Sequence, residues 1–279
     1  MMGNIETKKK KIIDVENLKK IQIRLLDEFD NFCKENDLVY YLTDGTLLGA
    51  VRHKGYIPWD DDIDVVMPRD DYELFINRFN QFADGTVKVL SHKLDHDYYM
   101  PFAKLVDNRT ILKEQGDVDY DIGVYIDIFP LDNLGSDFVT AKKIMKKAFY
   151  INRKRVVKTI SFSKKRSIVK NLILLFGKMS LLLQSTYSII DQLDNFCFKN
   201  GTNDGSTYVG VLTGISSGNE TRVLKKEWFS RTVQVEFEGK KYPAPIGYDM
   251  ILKHIYGEYM ILPPEEKRIT HHSYIAWYK

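Results

Sequence analysis

The sequence predicts an α+β chain, with strand-forming runs and amphipathic helices in one core and a basic helical insertion within it. Three observations carry this expectation. Apolar residues recur at three- and four-residue steps from Asp14 to Asn36. Strand formers run on from an acidic pair in Asp62-Ile-Asp64-Val-Val-Met67. From Phe138 to Ile190 there is no Asp or Glu, against 13 Lys and Arg.

The elements follow in order. Val15, Leu18, Ile21, Leu25, Phe29 and Phe32 line one face of the first helix, and Asp14 is placed to cap it. Leu38–Leu42 reads as a strand that delivers Asp44-Gly45-Thr46 to a short helix over Leu47–Arg52. Ile63–Met67 is the next strand, ended or left at an edge by Pro68. A helix is expected over Tyr72–Phe82, then strands over Thr86–Leu90, Phe102–Val106 and Tyr125–Phe129. The basic helical segment reaches about Phe198, and a Gly/Asn/Ser-rich loop (Asn200–Ser206) leads to a strand over Tyr208–Leu212. A hairpin (Thr232–Phe237 with Lys240–Tyr242) and a helix over Tyr248–Tyr256 close the list. No internal repeat is visible.

At 279 residues the chain can form one large domain, or one core with a helical addition. The expected division is 1–137, 138–198 and 199–279, the last part completing the first. Cys33 and Cys197 stand far apart with no disulfide or metal spacing, which fits a reducing cytosol. No secretory signal or uninterrupted apolar span is present.

The net charge of +3 conceals an asymmetry: 13 of the 41 basic residues fall between Phe138 and Ile190, so the remaining 28 face all 38 acids. Nothing in this segment interleaves basic and aromatic residues as nucleic-acid binders do, so nucleic acid is not expected as a partner. Basic charge beside the apolar run Ile168–Leu183 instead fits attachment to an anionic membrane surface, with solvated helix faces as the plainer alternative.

The segment from Thr43 to Asp64 carries the chemistry. Alternation along a strand puts Asp62 and Asp64 on one side, with Ile63 and Val65 on the other. Two adjacent carboxylates repel unless a cation sits between them, and Mg²⁺ or Mn²⁺ accepts such a pair together with substrate phosphates. Gly45-Thr46 before an apolar run reads as a turn entering a helix, whose free N–H groups bind anions. Arg52, His53 and Lys54 lie between turn and strand, Arg52 with the fork that suits phosphate. The alternative is an ordinary turn at Gly45 and a hydrated acidic corner at Asp60, Asp61 and Asp62.

This stretch resembles the LicD family, related to the fukutin-type proteins of the nucleotidyltransferase superfamily. Similar segments recur at Asp121-Ile-Gly-Val-Tyr-Ile-Asp-Ile-Phe-Pro-Leu-Asp132, Tyr242-Pro-Ala-Pro-Ile-Gly-Tyr-Asp249 and Tyr256-Gly-Glu-Tyr-Met-Ile-Leu-Pro-Pro264, followed by Arg268 and His271-His272. The resemblance implies a nucleotidyltransferase-like mixed β-sheet flanked by helices, with a third carboxylate from a later strand. Asp127, within Val124-Tyr-Ile-Asp-Ile-Phe129, is the candidate, since an ionised group in an apolar strand is costly to bury without a cation, with a hydrogen-bonded structural aspartate as the plainer alternative. Asp62, Asp64 and Asp127 would then be both metal ligands and catalytic residues, with Asp127 also a possible general base. Gly45, Thr46, Arg52, His53, Lys54 and Lys104 would bind substrate. Lys104 has a second reading as a surface lysine, and Trp59 lines a base or a quaternary amine unless it merely packs.

The family resemblance further implies a transferase that moves phosphocholine from CDP-choline to a hydroxyl of a teichoic acid or lipopolysaccharide precursor. Ribitol phosphate or glycerol phosphate from its own CDP donor is the neighbouring alternative. A non-catalytic, membrane-associated glycan-binding protein on the same scaffold is the distant one. The expected place is the cytoplasm, peripheral on the inner face of the cell membrane.

Overall fold

The computed structural model describes residues 11–114, 120, 122–164, 166–201, 205–214, 220–270 and 274–279. Strand β1 (Ile12–Ile13) precedes helix α1 (Val15–Glu35), and the Asp14 carboxylate accepts from the Asn17 N–H at 2.8 Å at its start. Strand β2 (Tyr41–Leu42), helix α2 (Asp44–His53), strand β3 (Asp64–Pro68) and helix α3 (Arg69–Phe82) come next. They are followed by strands β4 (Val87–Leu90), β5 (Ala103–Asp107), β6 (Thr110–Glu114) and the long β7 (Tyr125–Gly135). Helices α4 (Phe138–Thr159), α5 (Ile168–Ser180) and α6 (Thr186–Gly201) cover the basic segment. The chain finishes with β8 (Tyr208–Gly210), β9 (Leu224–Lys225), β10 (Thr232–Phe237), β11 (Lys240–Pro245), α7 (Tyr248–Tyr256) and β12 (Tyr274–Tyr278).

The central sheet runs β2-β3-β7-β5-β4, with β8 and β9 continuing from the far end of β7. The β3–β7 pair is parallel and its neighbours antiparallel, so the sheet is mixed as the resemblance implies. A parallel pair needs a crossover. Here α3, β4, β5 and β6 supply it, and they bring Asp127 beside Asp64. One face of the sheet, with Ile63, Val65, Leu105, Ile126 and Ile128, is sealed by α1 and α3 in an aromatic-rich core. Phe29 meets Phe75 and Phe32 meets Phe79, each pair edge-on with centroids 5.0 Å apart.

Several elements depart from the sequence-based expectation. Helix α2 starts at Asp44, so Gly45 and Thr46 lie in its first turn rather than in a loop before it. Strand β3 opens at Asp64, and Asp62 precedes it. Strand β7 continues past Phe129 through Pro130. This is tolerated because β5 pairs only as far as Ile128 and β8 joins at Asp132, so the missing proline N–H falls in an unpaired stretch of that edge. Strands β6 and β12 were not anticipated; with β1 they form a second, antiparallel sheet. The hairpin matches expectation, turning at Glu238 and Gly239, both at positive φ (50° and 76°) as a two-residue turn of this hand requires.

Helices α4 and α6 pack with the end of β7 through Leu134, Ala141, Met145, Ile189 and Leu193. Arg69 at the start of α3 ties the same region together. Its Nε and Nη2 reach the two oxygens of Asp132 at 2.7 and 2.9 Å, and its Nη1 reaches Asp194 at 2.8 Å. Helix α5 stands apart, with only Leu174 of its residues buried. Among the described residues no helix is long and apolar enough to cross a membrane.

Candidate active site

The face of the sheet opposite α1 and α3 carries the acids. Register pairs Asp64 with Asp127 across the parallel strands, and Asp127 with Lys104 across the antiparallel ones. The three side chains thus form a row over β3, β7 and β5. Lys104 is almost fully buried and its Nζ lies 2.5 Å from Asp127 Oδ1, above the Tyr125 ring. It is therefore not a surface lysine.

Helix α2 holds the row from one side. Thr46 Oγ1 accepts from the Asp64 N–H at 2.8 Å, so its buried hydroxyl fixes the start of β3 to the first turn of the helix. Gly45 leaves room for the Asp60 carboxylate, since a Cβ there would lie 2.6 Å from Asp60 Oδ2 and one of the two would have to move. Asp44 adopts a positive φ of 46° and pairs with Arg222, which arrives from the segment between β8 and β9.

The turn Asp60-Asp61-Asp62 is more than a hydrated corner. Asp61 is buried, Asp60 and Asp62 face the cleft, and the three can each bring one oxygen within 4.8 Å of the others. Gln22 supports the turn by donating to the Asp61 carbonyl at 2.9 Å, while Tyr56 donates to Gln22.

A cleft of about 650 Å³ opens over these groups. Gly45, Arg52, Trp59, Asp60, Asp62 and Asp64 form one wall. The chain from Tyr256 through Tyr259 and Ile261 to Pro264, with Lys267, forms the other. Arg52 joins the two by donating from Nη1 to the Tyr259 carbonyl at 2.7 Å.

Charge is heavily one-sided here. Burial pushes the Asp64 carboxyl well above the usual aspartate range, and Asp62, Asp127, Asp44 and Asp60 push it further. Every donor in the cluster is a carboxylate oxygen, the ligand type of hard divalent cations. Mg²⁺ or Mn²⁺ therefore fits this donor set, in which Asp60, Asp62 and Asp64 line the cleft.

Of the predicted site residues, Gly45, Arg52, Asp62 and Asp64 line the cleft, and Asp127 stands beside Asp64. Thr46 and Lys104 come to the site as supports. His53 lies edge-on to Trp59 at 6.4 Å, and burial followed by the Arg52 charge lowers its imidazole, which favours the neutral ring. Lys54 does not reach the cleft wall. It caps α2 in the left-handed conformation (φ 61°), which turns the chain away and leaves its side chain exposed. His271 and His272 lie outside the described residues. Sequence reasoning passed over Asp44, Arg222, Glu258 and Lys267. Asp44 stood inside the motif and could have been named, whereas Arg222 is 178 residues away from its partner and carries no local signal.

Residues 37–174 match the family model described as LicD/FKTN/FKRP, nucleotidyltransferase domain. Over 267 residues the chain is 32% identical to the lipopolysaccharide cholinephosphotransferase LicD of Haemophilus influenzae, which spans 91% of this chain and 94% of that protein. Shorter similarities reach two uncharacterised rickettsial proteins. The one from Rickettsia typhi is 35% identical over 74 residues, 26% of this chain and 22% of its own length. The one from Rickettsia prowazekii is 42% identical over 52 residues, 18% and 20% respectively.

Proposed function

The chain belongs to the LicD family and is a LicD-type phosphotransferase, and on that footing we propose that it transfers phosphocholine from CDP-choline to a hydroxyl of a cell-surface glycan precursor. The observation that carries the reading is the acidic row: Asp62 and Asp64 line a cleft, and Asp127 stands next to Asp64 in register. Such crowding of like charge is unfavourable in itself and is relieved by a divalent cation, which can bind the phosphates of a donor at the same time.

Asp62 and Asp64, with Asp127 as the third carboxylate, would hold Mg²⁺ or Mn²⁺. A bound ion of this kind draws negative charge from a pyrophosphate as the leaving group departs. The rest is the work of the chain. The first turn of α2 offers N–H groups at Gly45 to an anion, and Arg52 and Lys267 add positive charge along the cleft. Lys104 offsets part of the charge of Asp127 and fixes its position. The acceptor oxygen bonds to the β-phosphorus, the bond from that phosphorus to the bridging oxygen breaks, and CMP leaves. With a second ion bound, Asp127, the carboxylate beside Asp64 in register, would take the hydroxyl proton.

The acceptor class follows the name of the Haemophilus relative, a lipopolysaccharide precursor, with a teichoic acid precursor as the equivalent in another envelope. We place this protein at the cytoplasmic face of the membrane. Calorimetric titration with CDP-choline, CDP-ribitol and CDP-glycerol, in Mg²⁺ and again in EDTA, tests the proposal. Metal-dependent binding of CDP-choline alone supports it. Binding of a polyol donor instead replaces phosphocholine with that phospho-alcohol, and binding that EDTA leaves unchanged overturns the metal site.

A further inference from the structure

Helix α5 is built inside out. A surface helix of a globular protein turns its apolar stripe to the core and its polar side to water. Here Asn171, Leu174 and Lys178 turn toward the protein, while Ile168, Val169, Leu172, Ile173, Phe176 and Met179 are between 48% and 80% exposed. At 100° per residue these six fall within one arc of about 140°. The orientation is held by specific contacts. Lys178 Nζ donates to the Lys158 carbonyl at 2.8 Å, and Lys158 Nζ donates to the Leu181 carbonyl at 3.0 Å, so the end of each helix is braced on the other. Asn171 donates to the Ser163 carbonyl at 3.0 Å, and Gly177 packs on Val157, which a Cβ there would meet at 3.0 Å. The exposed apolar arc is therefore a feature of the packing, continued by exposed Leu182 and Leu183.

We propose that α5 is a membrane-docking helix that lies in the plane of an anionic lipid surface, with Ile173 and Phe176 at the centre of the inserted face. Its 13 residues span about 20 Å, too short to cross a hydrocarbon core of about 30 Å. In-plane binding needs an apolar face with cations at its margin. Lys164, Arg166 and Lys170 supply the margin, in a stretch of sequence that holds no acid from Phe138 to Ile190. The same charge argues against a second copy as the occupant, because two such segments would bring cation against cation. Anionic headgroups complement it instead. The inference does not depend on which donor the cleft binds.

The test is co-sedimentation of the whole protein, without nucleotide, with mixed phosphatidylcholine–phosphatidylglycerol vesicles and with pure phosphatidylcholine vesicles. Binding to the mixed vesicles, weakened by salt, is expected, and the I173E/F176E variant should lose it by about tenfold or more. Because that variant has to remain folded to be informative, Phe176→Trp serves as the second probe. Its added fluorescence should be quenched by brominated lipid beyond the quenching of the wild-type protein. Failure of the wild-type protein to bind, or no additional quenching in Phe176→Trp, overturns the proposal. So does a wild-type dimer in sedimentation velocity that I173E/F176E converts to a monomer. If vesicles bind while every CDP-alcohol fails, only the donor reading falls.

Discussion

Lys104 and Asp127 face each other from directly paired positions of β5 and β7, with Nζ 2.5 Å from Oδ1 and the lysine almost wholly buried. Asp127 is also the register partner of Asp64, so one aspartate stands between a lysine and another aspartate. The ammonium makes it possible for two carboxylates to lie side by side on one sheet. Removing it should be expensive, since one partner of a buried pair is then left alone at a cost of about 3–5 kcal/mol. Lys104→Met is expected to lower stability on that scale in urea denaturation. Adding Asp127→Asn to the same chain should recover part of the loss, which a simple packing defect at Lys104 would not allow.

Asp64→Asn should abolish turnover while the fold survives. The substitution removes a carboxyl that burial and four neighbouring acids already destabilise, so the metal-free protein should melt no lower than the wild type. Transfer of labelled choline from CDP-choline, paired with thermal melts in EDTA, checks both halves. A fall in rate of less than about tenfold would contradict the role given to Asp64.

Gly45→Ala tests the contact between α2 and the acidic turn. The new methyl would lie 2.6 Å from Asp60 Oδ2 and force that carboxylate, beside Asp62, to move. A shift of about 1 Å in such a group costs about a hundredfold in rate. Circular dichroism should remain that of the native protein.

Arg69→Lys is not a conservative change. It keeps the charge but loses the fork that holds both oxygens of the buried Asp132 while also reaching Asp194. A loss of about 2 kcal/mol or more is expected in denaturant melts. Protection of α6 in hydrogen exchange should fall with it, because Asp194 is the residue through which α3 holds that helix.

Asp107 should govern part of the acid limb of stability. Burial by itself would raise its carboxyl, but the hydrogen bonds from Arg109 and the charge of Arg24 carry it below the usual range. A depressed folded-state value means that this stabilisation is complete above the ordinary aspartate range, near pH 4, and is lost as the pH falls through and below it. Asp107→Asn should therefore be less stable at neutral pH and should show a flatter decline on acidification. Urea melts across that range measure the difference.

The local parts of this architecture were legible in the sequence. The Asp14 cap and the apolar stripe of α1 follow from neighbours within one turn, and the Glu238-Gly239 hairpin follows from adjacent residues. The acidic pair at Asp62 and Asp64 was equally local, although the strand begins at Asp64, one residue after the expected Ile63, and leaves Asp62 outside it. The basic segment was visible as composition. Its division into α4 and α6, which turn apolar residues to the core, and α5, which packs on α4 but turns its apolar arc outward, was invisible, because amphipathic periodicity fixes that a helix has two faces and not which face meets protein.

What the sequence alone determined is thus the set of groups and their local spacing: three aspartates in two strand-like runs, a glycine turn ahead of them and a cationic stretch apart from them. Tertiary structure decided their company. Parallel pairing of β3 with β7 set Asp127 against Asp64, pairing of β5 with β7 turned Lys104 inward, and return of the chain after α7 built the far wall on which Arg52 is anchored. The reason is register. A slip of one residue sends every side chain of a strand to the opposite face, and which register wins is settled by the packing of the whole sheet, a sum no local window contains.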